Sequence, residues 1–230
     1  MAAGRSTSAT EEQKGRLSRE LILDTGARFI EKHGLSYLTM RRLGKELGVE
    51  AMALYRYVPS REDLLDGIVA RVLLELQDDP DVFVHPRQGW QDYLVRLAHG
   101  LRKLAMAYPQ VFPVIATRPT GAPWIRPPLR SLAWIESFLA ALTSSGFSDR
   151  QAAEAYQAFS SFLLGNLLLH VSLDGEDGNV ESSPQEQQSV ELSEYPNIQR
   201  MQSLLAGSWN EQEFEMALED VLNRIELLKS

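Results

Sequence analysis

Leu38-Thr39-Met40-Arg41-Arg42-Leu43-Gly44-Lys45-Glu46-Leu47-Gly48-Val49-Glu50-Ala51-Met52-Ala53-Leu54-Tyr55-Arg56-Tyr57-Val58 is the stretch that decides the fold. Thr39 is an N-cap residue, and it opens a short helix predicted to run through Leu47. Gly48 breaks that helix. A third short helix is predicted over about Ala51 to Val58, closed by Pro59-Ser60. Two short helices joined at a glycine make a helix-turn-helix. Leu43, Leu47, Val49, Leu54 and Val58 can close a small core with Phe29 and Ile30. Thr39, Arg41, Arg42, Ala51, Met52, Tyr55, Tyr57 and Arg61 are left facing outward. The small residues opening the third helix let its backbone sit close to base edges in a major groove. The nearby tyrosines and arginines can donate to phosphates.

Working outward, helical spacing extends on both sides. Leu21, Ile22, Thr25, Phe29 and Ile30 share one face of a helix that starts at Ser18 and stops at His33-Gly34. His33 falls at that helix's negative end, where a histidine is favourable. Residues 1–15 are polar and Ser/Thr-rich and read as a flexible arm without the apolar run of a secretory leader. Downstream, Ser60 and Asp63 resemble a capping box for a longer helix carrying Leu64, Leu65, Ile68, Val72 and Leu76, which ends at Asp78-Asp79-Pro80. Further helices are predicted over 89–107, 129–145, 148–173 and 211–228, the last capped by Asn210 with Glu213. Pro109 and Pro113 bracket a brief helical turn, and 117–128, with four prolines, is a loop. Residues 174–196 carry seven acids and neither Lys nor Arg, and read as a mobile acidic loop. No alternating pattern is sustained anywhere. The fold class is all-α: a flexible arm (1–15), a three-helix head (16–62), and a larger helical body (63–230).

Charge divides the chain in the same way. The 230 residues carry a net −8, yet residues 1–61 hold 11 Lys/Arg against 7 Asp/Glu, a net +4. A basic head on an acidic body confines contact with a polyanion to the head. Cysteine is absent, which excludes disulfide scaffolds, thiolate metal sites and thiol nucleophiles, and fits a reducing cytoplasm. The longest apolar stretch, Phe159 to Leu173, is too short and too interrupted by Ser160, Ser161, Gly165, Asn166 and His170 to span a membrane. No paired carboxylates, nucleophile–base set, phosphate loop or His-Glu-x-x-His spacing supports an enzyme, and no cofactor is expected.

The Leu-Thr-x-Arg-x-Leu and Gly-Val-x-x-x-x-Leu-Tyr-x-Tyr-Val patterns, followed by Leu64-Leu65-Asp66-Gly67, closely resemble the DNA-binding domain of the TetR family of bacterial transcriptional repressors. Trp90-Gln91-Asp92-Tyr93-Leu94, Thr117-Arg118-Pro119-Thr120 and Gly146-Phe147-Ser148 extend the resemblance to the tetracycline-repressor-like C-terminal type. That resemblance implies a homodimer, joined by a four-helix interface, whose heads enter successive major grooves of a palindromic operator. Carried over, Thr39 and Arg41 touch a phosphate and read a guanine. Glu50, Ala51, Met52 and Ala53 face the groove, and Tyr55, Tyr57 and Arg61 contact bases or phosphates. Ala51 and Met52 cannot make bidentate base contacts, so reading rests on Arg41 and on apolar contact with thymine methyls.

The resemblance also implies an effector pocket in the body. Leu101, Leu104, Trp134, Phe138, Phe159 and Phe162 are its apolar candidates, with Asn166 and His170, one helical turn apart, as its polar ones. Tetracycline-binding members hold a drug–magnesium chelate with two histidines. Gln77 and, across a gapped match, Val114 stand at those places here, so a metal-free, mainly apolar effector is expected. The reading is therefore a ligand-responsive, cytoplasmic repressor that binds double-stranded DNA and itself, with no membrane partner. The alternative is a DNA-binding dimer or adaptor without a small-molecule effector.

Overall fold

The computed structural model describes residues 17–77, 79, 82, 89–118, 124–125, 131–176, 194–205 and 211–229. These form helices α1 (Arg19–His33), α2 (Met40–Leu47), α3 (Ala51–Leu54), α4 (Arg61–Gln77), α5 (Trp90–Ala107), α6 (Phe112–Thr117), α7 (Leu132–Ser144), α8 (Asp149–Glu176), α9 (Pro196–Leu205) and α10 (Glu211–Leu228), with a 3-10 turn at Leu35–Tyr37. Among the described residues there is no strand. The chain divides into two compact units, Met1–Glu75 and Leu76–Ser230, with the division inside α4.

In the first unit the helix ends follow local chemistry. The Ser18 hydroxyl accepts from the Leu21 N–H, and the Gly34 N–H donates to Ile30 O, closing α1. The Thr39 hydroxyl accepts from the Arg42 N–H at 3.2 Å. At the start of α4, the Asp63 N–H donates to Ser60 Oγ at 3.0 Å and the Ser60 hydroxyl donates to Asp63 Oδ2 at 2.8 Å, the reciprocal bonds of a capping box. Ile22, Ile30, Leu38, Leu43, Leu54, Val58, Leu64 and Ile68 form the core. α1 and α4 are also tied by Arg71 Nε donating to Asp24 Oδ1 at 2.8 Å.

The third helix is shorter than its sequence suggests. Only Ala51–Leu54 is α-helical. The Tyr57 N–H already bonds Leu54 O, a tighter i to i−3 closure, and Val58 precedes Pro59, which disfavours helical backbone at the residue before it.

In the second unit α8 packs against α5, α6, α7 and α10, and so forms its centre. Phe138 of α7 lies edge-on to Tyr156 at 5.6 Å and tilted against Phe159 at 5.5 Å. α10 is held to α5 by a line of polar contacts: Gln91 donating to Glu226 at 3.0 Å, His99 beside Glu215 at 3.5 Å, and Arg102 beside Glu211 at 3.5 Å. Pro113 does not end the turn before it as expected. It sits in the first turn of α6, where its missing N–H would have no helical partner in any case. Helix α9, at Pro196–Leu205, has no counterpart among the helices that periodicity predicts. The arm at 1–15 lies outside the described residues. So does most of the acidic segment 174–196, whose ends are taken up by the last turn of α8 and the start of α9. No described helix is long and apolar enough to cross a membrane.

Candidate nucleic-acid interface and ligand-binding body

The corner between α2 and α3 is a backbone-to-backbone contact. A Cβ built on Gly44 would lie 2.8 Å from Val49 O and 3.3 Å from the Ala51 nitrogen. Glycine at this place lets α3 close onto α2. Gly48 turns the chain with φ 68°, a left-handed conformation costly for other residues. The Val49 N–H then donates back to Gly44 O at 2.9 Å. Together these fix the direction in which α3 leaves α2.

Five of the residues named from sequence, Thr39, Arg41, Arg42, Glu50 and Ala51, line one groove of this corner. A groove of about 960 Å³ is lined by Thr39, Arg41, Arg42, Lys45, Gly48, Val49, Glu50 and Ala51. Arg41 is exposed, Met52 is 74% exposed at the start of α3, and Ala53 is half-buried. Tyr55 and Tyr57 are exposed on the turn that follows, with Leu54 buried behind them. Arg61 reaches back to Leu38 O at 3.5 Å and lies 4.0 Å from Glu62. Arg42 is committed locally: its guanidinium donates to Tyr37 O at 3.2 Å and lies 5.2 Å over the Tyr37 ring. It therefore clamps the 3-10 turn onto α2. Two exposed residues beside this surface, Tyr37 and Lys45, were not singled out from sequence. Their signal was available, since Tyr37 stands two residues before the N-cap and Lys45 one helical turn after Arg41.

The body candidates separate into two groups. Leu101, Leu104, Trp134, Phe138 and Phe159 are buried, together with Asn166. Phe162 instead stacks on Phe214 of α10 at 6.2 Å and lines a groove of about 650 Å³ with Ser161, Val221, Arg224 and Leu228. His170 is half-buried on the next turn of α8. Two other buried polar groups belong to this region. Ser160 Oγ is fully buried and makes no hydrogen bond. Burial pushes the Tyr93 hydroxyl pKa up, opposed by the nearby Ser137 hydroxyl, which does not close a well-formed hydrogen bond. Val114, at one place where the tetracycline type has a histidine, is a buried aliphatic side chain on α6. An aliphatic side chain at this position offers no donor to a magnesium ion, which takes oxygen ligands.

A small helix-turn-helix unit whose first 61 residues carry a net +4, joined to a larger all-helical one, defines a class of protein: a DNA-binding regulator with a separate helical body. Residues 22–68 match the model of bacterial regulatory proteins of the tetR family, and residues 84–228 match the tetracyclin repressor-like C-terminal domain. The chain belongs to the TetR family, whose members are transcriptional regulators and not enzymes. It is 30% identical over 156 residues to the tetracycline repressor protein class D of Escherichia coli, an alignment covering 66% of each chain. The match thus spans just under two thirds of that repressor's length. A possible TetR family regulator from Streptomyces coelicolor A3(2) superposes with a TM-score of 0.73 at 25% identity, covering 92% of this chain and all of that one. The fold is shared, at 22% identity and a TM-score of 0.70, with Streptomyces coelicolor ActR, solved in complex with actinorhodin, over 94% of this chain and 100% of that one.

Proposed function

We propose that this chain is a repressor that grips a palindromic operator as a homodimer and releases it when a small, mainly apolar effector binds the body without a metal. The observation that carries this reading is the exposed Arg41 beside the exposed start of α3, on a corner shaped by the close backbone approach at Gly44 and the left-handed turn at Gly48. Arg41 is the bidentate reader of guanine. Ala51 and Met52 supply apolar contact to thymine methyls. Thr39, Tyr55, Tyr57 and Arg61 donate to phosphates, Glu50 and Ala53 complete the groove-facing surface, and Arg42 positions its edge.

The dimer face is the groove between α8 and α10. Leu169 and Leu227 stand exposed on these two helices, and a second copy related by a two-fold axis would cover them. The effector cavity is assigned to the apolar interior around Leu101, Leu104, Trp134, Phe138 and Phe159, with Asn166 and His170 on the α8 side, while Phe162 goes to the dimer groove. Support comes from the buried aromatic cluster and from the similarity to a tetracycline repressor and to a protein solved with actinorhodin. An effector that prefers the non-binding conformation by about 2–3 kcal/mol would lower operator affinity roughly 30- to 150-fold.

The test is fluorescence anisotropy of a labelled palindromic duplex, selected from a random pool by the full-length chain, titrated with apolar metabolites with and without EDTA. Release that persists in EDTA is expected. Release that vanishes on chelation and returns with magnesium would overturn the metal-free assignment.

A further inference from the structure

On the side of α2 turned toward α1, the first unit carries a second cleft, of about 530 Å³, that the reading above does not use. Phe29 and His33 of α1, Tyr37, and Arg42, Lys45 and Glu46 of α2 line it. Arg42 and Lys45 also line the groove between α2 and α3. They stand three residues apart, on one helical ridge, and so form a cationic edge shared by both depressions. A polyanion laid along the α2–α3 groove meets the same two cations at the rim of the outer cleft.

Three features prepare the cleft for a phosphate. Tyr37 is 55% exposed, yet its position is fixed by the Arg42 guanidinium over its ring and on its carbonyl oxygen, which leaves the hydroxyl as a preset donor. Lys45 is exposed and makes no ion pair among the described residues. The His33 ring is held 4.7 Å from that of Phe29 on the opposite wall. Glu46 opposes these, and its carboxylate would repel a phosphate drawn in by its neighbours.

We propose that this cleft takes a backbone phosphate of the operator outside the base-reading contacts, with Lys45 and Tyr37 as its donors and Glu46 as a brake on affinity. The inference rests on the DNA-binding reading and adds residues that carry no base information. Each phosphate contact contributes about 0.9 to the slope of log affinity against log salt. Removing one should shrink the loss of affinity between 50 and 200 mM salt about 3.5-fold.

The experiment uses the full-length chain and the duplex it selects from a random pool, at two flank lengths. Lys45→Ala should lower the salt slope by about 0.9 without changing base preference. Tyr37→Phe should weaken binding severalfold at fixed salt, and Glu46→Gln should strengthen it. Trimming the flanks should weaken the wild type more than Lys45→Ala. The proposal is overturned if Lys45→Ala and Glu46→Gln both match the wild type while Arg41→Ala still alters base preference, because the head then binds DNA without this cleft. A Lys45-dependent response to inorganic phosphate alone, with no effect on DNA, would assign the cleft to a small anion and overturn it as well. Failure to select any duplex would remove the DNA-binding reading itself and this inference with it.

Discussion

Replacing Gly44 with alanine probes the corner on which the proposed DNA reading depends. The new Cβ would lie 2.8 Å from Val49 O and 3.3 Å from the Ala51 nitrogen. Both are backbone atoms, so no side chain can swing aside. Ordinary contact at about 3.4 Å requires α3 to back away by about 0.6 Å. Overpacking of this kind costs about 1–3 kcal/mol, and alanine's better helix propensity returns about 1 kcal/mol. The net loss of stability is therefore modest, at most about 2 kcal/mol. The effect on DNA should exceed it, because a displaced α3 misaligns base contacts worth about 1–3 kcal/mol each, or roughly 5- to 150-fold in affinity. Gly26→Ala is the control. Its Cβ would meet the Ile68 Cδ1 tip at 2.7 Å, a side-chain end that can rotate away, so affinity should stay near wild type. Urea unfolding and duplex titration of both full-length variants separate the two effects. A Gly44→Ala chain that binds as tightly as Gly26→Ala would refute the claim that this close approach sets the reading geometry.

Arg41→Ala should cost about 1–3 kcal/mol of operator affinity and relax preference at one base pair, whereas Arg61→Ala should weaken all duplexes alike, as competition titrations with single-base variants would report. Leu169→Glu with Val221→Glu should yield monomer by sedimentation, with operator binding lost. These positions are chosen because Leu218, on the same α10 stripe, is 2% exposed within one chain, so a charge there would attack the protomer's own core. The Tyr93 pKa is raised by burial, so the native state holds this proton more tightly than the unfolded chain. That contribution is fully present below the ordinary tyrosine pKa of about 10 and is lost as pH rises through the higher native value. Thermal melts across pH 9 to 11 should therefore lose stability less steeply for Tyr93→Phe.

Much of the first unit is legible in sequence because its boundaries are set by residues within one turn of each other. Ser18, Thr39 and Ser60 cap helices through their own hydroxyls, and Gly48 takes the left-handed turn that few other residues tolerate. Charge partition needs only counting. Periodicity likewise locates α5, α7, α8 and α10, since a helix buried on one face repeats its apolar residues whatever it packs against. α9 escaped this logic. Pro196–Leu205 buries no residue, so its apolar positions mark no core.

What the tertiary structure decided is which neighbour each side chain meets. Phe159 and Phe162 look equivalent three residues apart on α8, yet one is buried against Phe138 and the other stacks on α10. Arg41 and Arg42 are adjacent and identical in chemistry, yet only Arg42 is drawn onto Tyr37. Gly44 looks like an ordinary helical glycine until the backbone of Val49 is found against it. Caps and periods follow from interactions along the chain, which sequence spacing encodes directly. Contacts between helices depend on crossing angles and rotations that emerge only when all the apolar faces are buried together.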